Sequence, residues 1–173
     1  MKKNNIFQDN LYKTPTRFFM TAGNAEGYSE LNSFDSALLH AGIGNVNIIQ
    51  VSSIIPPNCT EIKPVGLPYG SLIPVAYSTI TSDLEHEVIS AAVAVAMPID
   101  KTKPGVIMEY SSRGRKQDIE LITRRMAEEA MKVRHARIAD IKSVSVEHIV
   151  KKIGCVIAAV VLLYIRSADT LVV

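Results

Sequence analysis

Apolar positions in this chain recur at two different periods, and the change from one to the other divides it into elements. Arg17-Phe18-Phe19-Met20-Thr21 predicts a short aromatic strand closed by Gly23 and Asn24. Ser29 predicts the cap of a helix over 30–41, whose Leu31, Leu38 and Ala41 share one face and which Gly42 and Gly44 end. Residues 46–53 predict a strand, stopped by Pro56-Pro57. Pro64, Pro68 and Pro74, with Gly66 and Gly70, mark an irregular connection.

Three apolar segments follow, over 73–81, 88–98 and 105–111. The middle one carries enough alanine for a helix. Its β-branched Val88, Ile89, Val93 and Val95, and its place between two strand candidates, favour a strand. Residues 117–137 predict the clearest helix, with Ile119, Ile122, Met126, Ala130 and Val133 at three- and four-residue steps. Glu120 with Arg124, and Glu128 with Lys132, form favourable four-apart pairs. Residues 141–165 predict one or two strands broken near Lys151-Lys152. Two helices and five or more strands, not strictly alternating, predict an α+β layered fold.

Composition narrows the function classes. The 173 residues suit one domain, and at that size roughly 70% of the unfolded surface is buried without disulfide or metal staples. A net charge of +2 argues against a dedicated nucleic-acid binder, and 47% hydrophobic residues exclude a disordered chain. Cys59 and Cys155 allow at most one bridge. The polar start lacks the apolar stretch of a signal peptide, and the longest apolar run, 153–165, is shorter than the ~20 residues that span a bilayer. The expectation is a cytoplasmic protein with reduced thiols and no membrane contact.

Several familiar sites drop out. Gly42-Ile43-Gly44 has Asn47 where a dinucleotide fingerprint needs a third glycine. His40, His86, His135 and His148 lack metal-ligand spacing, so no metal is expected. The basic run Arg113-Gly114-Arg115-Lys116 reads better as a solvated loop than as a nucleic-acid site.

Three features stand out. In Asn47-Ile48-Ile49-Gln50-Val51-Ser52-Ser53-Ile54-Ile55-Pro56-Pro57, a regular strand would put Asn47, Ile49, Val51 and Ser53 on one face. Taken alone, such a serine pair reads as two satisfied hydroxyls at a strand end. Glu109, on the Ile107 face of its strand, is either a solvated edge carboxylate or a buried acid with a raised pKa. Asp35 falls on the stripe of Leu31 and Leu38. It is either favoured there by the helix dipole or lines a site for a cationic ligand.

Around the serine pair, with Gly42-Ile43-Gly44-Asn45-Val46-Asn47 before it and Pro56-Pro57 after it, the sequence resembles pyruvoyl-dependent arginine decarboxylases. The likeness continues through Ala22-Gly23, Leu31-Asn32-Ser33-Phe34-Asp35, Ser90-Ala91-Ala92, Ile107-Met108-Glu109-Tyr110 and Val146-Glu147-His148, from about residue 16 to 165. It implies a four-layer αββα sandwich of two β-sheets flanked by helices, and a trimer with sites between neighbours. It also implies self-cleavage between Ser52 and Ser53, in which the Ser53 hydroxyl attacks the preceding carbonyl. That leaves chains of 52 and 121 residues, the second beginning with a pyruvoyl group derived from Ser53.

The implied reaction takes L-arginine to agmatine and CO2, a step of polyamine synthesis. The covalent pyruvoyl group serves as electron sink, so no lysine-anchored cofactor is needed. Carried onto this chain, Glu109 is the proton donor and Asn47 positions the processing site. Asp35 faces the guanidinium in a pocket lined by Leu31, Leu38 and Gly44.

Two rivals remain. One is decarboxylation of another amino acid by the same chemistry, with Asp35 arguing against acidic substrates. The other is a non-catalytic oligomeric module that uses Arg113, Arg115 and Lys116 on nucleic acid. Chain cleavage separates either enzyme from that module. The ending Arg166-Ser167-Ala168-Asp169-Thr170-Leu171-Val172-Val173 matches no nameable motif.

Overall fold

The computed structural model describes residues 14–164; the tail from Arg166 lies outside them. The elements run β1 (Arg17–Glu26), α1 (Glu30–His40), β2 (Asn47–Gln50), β3 (Ile54–Ile55), β4 (Thr60–Glu61) and β5 (Leu72–Ser82). They continue with β6 (Val88–Pro98), β7 (Gly105–Arg113), α2 (Lys116–Val133), β8 (Ile138–Ile149) and β9 (Gly154–Leu163). One sheet has the order β2-β5-β9-β1-β4 and the other β3-β7-β6-β8.

The two central strands show why these layers form. In β6, Ile89, Ala91, Val93 and Val95 enter the core between the sheets, while Ala94 and Ala96 alternate toward α2. In β9, Val156, Ala158, Val160 and Leu162 face the same core, and Cys155, Ile157, Ala159 and Val161 face α1. Each strand is covered on both faces, so each reads as a continuous apolar run rather than an alternating one. The order of layers is α1, first sheet, second sheet, α2. That is the expected αββα sandwich, and β6 is the strand that its β-branched residues favoured.

Ser29 caps α1 by accepting the Asn32 N–H, as its position predicts. The helix packs on the sheet through small residues. A Cβ at Gly23 would lie 2.3 Å from the Ala37 carbonyl, so β1 must present a glycine there. This explains one correction. β1 does not close at Gly23 and Asn24 but continues to Glu26, because β9 pairs with it over its whole length.

α2 ends at Val133, four residues earlier than predicted, where His135 turns to a φ of 51°. Its buried residues are Ile119, Thr123, Ala127 and Met131, a four-step ridge laid over Ala94 and Ala96. Ile122 and Val133 face outward instead of joining the predicted stripe. Lys132 pairs with Glu129 at 2.5 Å rather than with Glu128. Glu120 accepts the hydroxyls of Ser143 and Ser145, and these bonds outweigh its partial burial and hold its pKa below the usual range.

Candidate functional site

The strand predicted over 46–53 is interrupted, and the interruption makes the site. β2 lies parallel to β5 at the edge of the first sheet, from the pair Asn47 and Leu72 to the pair Gln50 and Val75. The Val51 N–H still reaches the Val75 carbonyl at 3.2 Å. Three residues later the chain belongs to the other sheet, where Ile54 and Ile55 pair antiparallel with Val106 and Gly105. Ser52 and Ser53 therefore span the gap between sheets. Their peptide bond is in neither ladder.

Hydrogen bonds fix this crossing. The Ser53 carbonyl accepts the Ile107 N–H at 2.8 Å, and the Ser52 carbonyl accepts the Ile54 N–H at 2.9 Å. The Ser53 hydroxyl donates to Glu109 Oε1 at 2.6 Å. Glu109 stands on β7 opposite Val93 of β6, partly buried against the core. Burial raises its pKa above the usual carboxylate range, and the Ser53 hydroxyl offsets only part of that rise. Of the two readings open for Glu109, the half-buried acid is the one observed. A raised pKa also makes its carboxylate a stronger base toward the neighbouring hydroxyl.

Asn47 stands elsewhere. Its side-chain amide donates to the Gly70 carbonyl at 2.8 Å, and its backbone N–H to the Ser71 carbonyl at 2.8 Å. Because β2 stops at Gln50, the face that was to align Asn47 with Ser53 does not exist within one chain.

The α1 residues also differ from expectation. The buried face is Ser33, Ala37 and Leu38, continued by Ala41. At about 100° per residue, Leu31 and Asp35 stand roughly 20° and 60° beyond Leu38, past the edge of that face. Leu31 is 75% exposed and Asp35 is also exposed, so neither shares a buried stripe with Leu38. A Cβ at Gly44 would lie 2.7 Å from Leu39, which explains a glycine in this tight return from the helix. α1 packs on β1, β9 and β5, whereas Glu109 stands on the opposite sheet.

The sequence model of the pyruvoyl-dependent arginine decarboxylases matches residues 17–167. This chain belongs to that family. A relative of that name from Methanocaldococcus jannaschii is 46% identical over 153 residues, covering 88% of this chain and 93% of the relative. Another from Pyrococcus abyssi is 40% identical over 154 residues, covering 87% and 97%. Among solved structures, a pyruvoyl-dependent histidine decarboxylase aligns at 15% identity and a TM-score of 0.49, over 58% of this chain and 54% of the other.

The family depends on a covalent pyruvoyl group. Ser53 presents a hydroxyl on a crossing outside both ladders, beside a half-buried carboxyl group. Among the described residues, no cluster of three or more His, Cys, Asp or Glu could hold a metal.

One contact escaped sequence reasoning. Glu26 accepts His148 at 2.6 Å and the backbone N–H groups of Lys151, Lys152 and Ile153. Burial alone would raise its pKa, but these donors lower it to about 2. Nothing in the local sequence around Glu26 signals partners more than 120 residues away.

Proposed function

We propose that this chain decarboxylates L-arginine to agmatine and CO2, after self-cleavage between Ser52 and Ser53 converts Ser53 into a pyruvoyl group. The observation that carries the reading is the Ser53 hydroxyl, on the span between two sheets and 2.6 Å from the half-buried Glu109 of β7. The names of relatives at 40–46% identity support the substrate. A pyruvoyl group supplies a ketone that engages the substrate amine and withdraws the electrons left when CO2 departs. Glu109 then holds a proton beside residue 53 for delivery to the α-carbon, a role its raised pKa suits.

Asp35 pairs with the guanidinium, Leu31, Leu38 and Gly44 line that end of the pocket, and Asn47 positions the processing site. Asn47 does so from within the chain, by fixing the start of β2 on Gly70, whereas Asp35, Leu31, Leu38 and Gly44 lie apart from Ser53 in one chain, which favours a trimer whose sites form between neighbours. Tyr28, just before α1, and Leu31 on it, exposed at 95% and 75%, give the start of the helix an apolar edge for such a contact. Cleavage leaves one domain: β1, on the 52-residue product, stays paired with β9 along ten residues.

The nucleic-acid rival loses its main support, because Arg113 pairs with Glu87 at 2.5 Å and Arg115 with Glu147 at 2.9 Å. Among the described residues no helix is long and apolar enough to cross a membrane. The cytoplasm suits Cys59 and Cys155, which are buried and unbridged.

The test is turnover of arginine, ornithine, citrulline and glutamate, followed as CO2 and amine release. Agmatine formation that borohydride abolishes supports the reading. Preference for another amino acid overturns the substrate, and borohydride-resistant activity overturns the cofactor.

A further inference from the structure

We propose that the backbone N–H of Ile54 is the oxyanion donor for self-cleavage, held on the scissile carbonyl by a γ-turn centred on Ser53. The inference rests on the self-cleavage reading. Its basis is the 2.9 Å bond from Ile54 N–H to the Ser52 carbonyl, a contact that spans three residues. Ser53 is absent from the residues with positive φ, so the turn is of the common inverse type found at strand ends.

The chain on either side holds this turn in place. Upstream, Val51 N–H is fixed on Val75 of the first sheet. Downstream, the Ser53 carbonyl is fixed on Ile107, and Ile54 and Ile55 are paired with the second sheet. Only Ser52 lies between the two anchorages. A regular strand here would turn the Ile54 N–H away from β7, along the open edge of the second sheet where β3 is terminal. The crossing turns it back onto the oxygen that gains negative charge during attack.

The step balances. The Ser53 hydroxyl oxygen bonds to the Ser52 carbonyl carbon, and its proton passes to Glu109. The carbon–nitrogen bond then breaks, and the nitrogen receives that proton. In the later steps Ser52 leaves as a carboxylate, one water is consumed and the nitrogen departs as ammonia. During the first step the carbonyl electrons move onto oxygen. A donor already at 2.9 Å stabilises that charge without reorganisation. Glu109 on the hydroxyl and Ile54 N–H on the carbonyl thus act on opposite ends of the same addition.

The decisive variant replaces the 53–54 amide by an ester, which removes the Ile54 N–H and keeps every side chain. Cys59 makes it accessible: a synthetic peptide of residues 1–58 can be ligated to recombinant 59–173 and the protein refolded. An all-amide protein made the same way is the reference. A third protein, with the ester at 50–51, loses the Val51 N–H but keeps the donor at Ser52. Cleavage is followed by intact mass, and folding by circular dichroism and melting.

The Ile54 ester should cleave ~10²–10³ times more slowly than the all-amide protein, as expected for a lost oxyanion donor. The Val51 ester should stay within a few-fold of it. Equal rates for the Ile54 ester and the all-amide protein overturn the inference while leaving self-cleavage standing. An all-amide protein that never cleaves overturns both. Should the Ile54 ester fail to fold, amide exchange in the uncleavable Ser53→Ala chain decides instead. A protected Ile54 N–H supports the turn, and exchange at the free-peptide rate overturns it.

Discussion

The two halves of the proposed site are built in opposite ways. Ser53 lies on the crossing between the sheets and Glu109 on β7 of the second, yet one chain brings them to 2.6 Å and holds the serine on both sides through its backbone. Leu31 and Asp35 sit on one helix, held rigidly by small residues against β1, but their side chains face outward with nothing of their own chain over them. The difference separates chemistry from recognition. The proposed bond-making pair is preorganised by the fold of a single protomer, and the proposed substrate-reading residues are exposed on that protomer, as a site closed by a neighbour requires. On the proposed reading, self-cleavage would follow from folding alone, whereas arginine turnover would follow from assembly.

The largest effect is expected in the preorganised half. Glu109→Gln keeps the size but cannot exchange a proton, so turnover of cleaved protein should fall ~10²–10⁴-fold. Chain cleavage must be scored separately, since the same substitution removes the base from Ser53. Near-normal turnover would remove Glu109 from the mechanism.

In the recognition half, Asp35→Asn removes the anion without changing shape. Breaking one side of a desolvated charge pair costs ~2–5 kcal/mol, so kcat/KM for arginine over citrulline should drop roughly 30- to 4,000-fold. Trapping of a small amine by borohydride should persist. If arginine preference survives intact, Asp35 serves only the helix dipole. Leu31→Lys sharpens the contrast further: it should weaken self-association at least about tenfold while leaving chain cleavage untouched. Sedimentation velocity with intact mass on the same sample reads both.

The smallest effects are in stability, and they have opposite signs. The raised pKa of Glu109 favours the fold below the ordinary carboxylate range, and that contribution is lost as pH rises through its folded value. Glu109→Gln should therefore melt higher than the parent at neutral pH. Glu26, lowered to about 2, stabilises the fold above pH ~4.5 and loses that contribution as pH falls toward 2. Glu26→Gln should remove on the order of 2 kcal/mol at neutral pH and flatten the acid limb of the melting curve. An unchanged acid limb would separate Glu26 from the acid transition.

What was legible in the sequence was whatever short-range pattern decides. The Ser29 cap, the β-branched character of β6 and the break at Lys151-Lys152 all act within a few residues, and each was read correctly. The change of sheet after Val51 was not legible. Residues 46–55 carry isoleucine or valine on both sides of the serines, with no glycine or proline between them, and only pairing with Val75 on one side and Val106 on the other divides them. The same limit hid the position of Asn47, whose partner Gly70 comes from the parallel pairing of β2 with β5. The α1 stripe failed for another reason. Apart from Leu38, its buried face is made of serine and alanine, which a search for large apolar residues passes over, and Leu31 stands beyond its edge.

The central claim is that folding of one chain is enough to sever the bond between Ser52 and Ser53. Intact mass of freshly purified, dilute protein tests it most directly, with Ser53→Ala beside it. The account predicts two chains, of 52 and 121 residues, the larger blocked at its N-terminus, and a single whole chain for Ser53→Ala. A folded parent that remains whole, or a Ser53→Ala protein cut at the same bond, contradicts it.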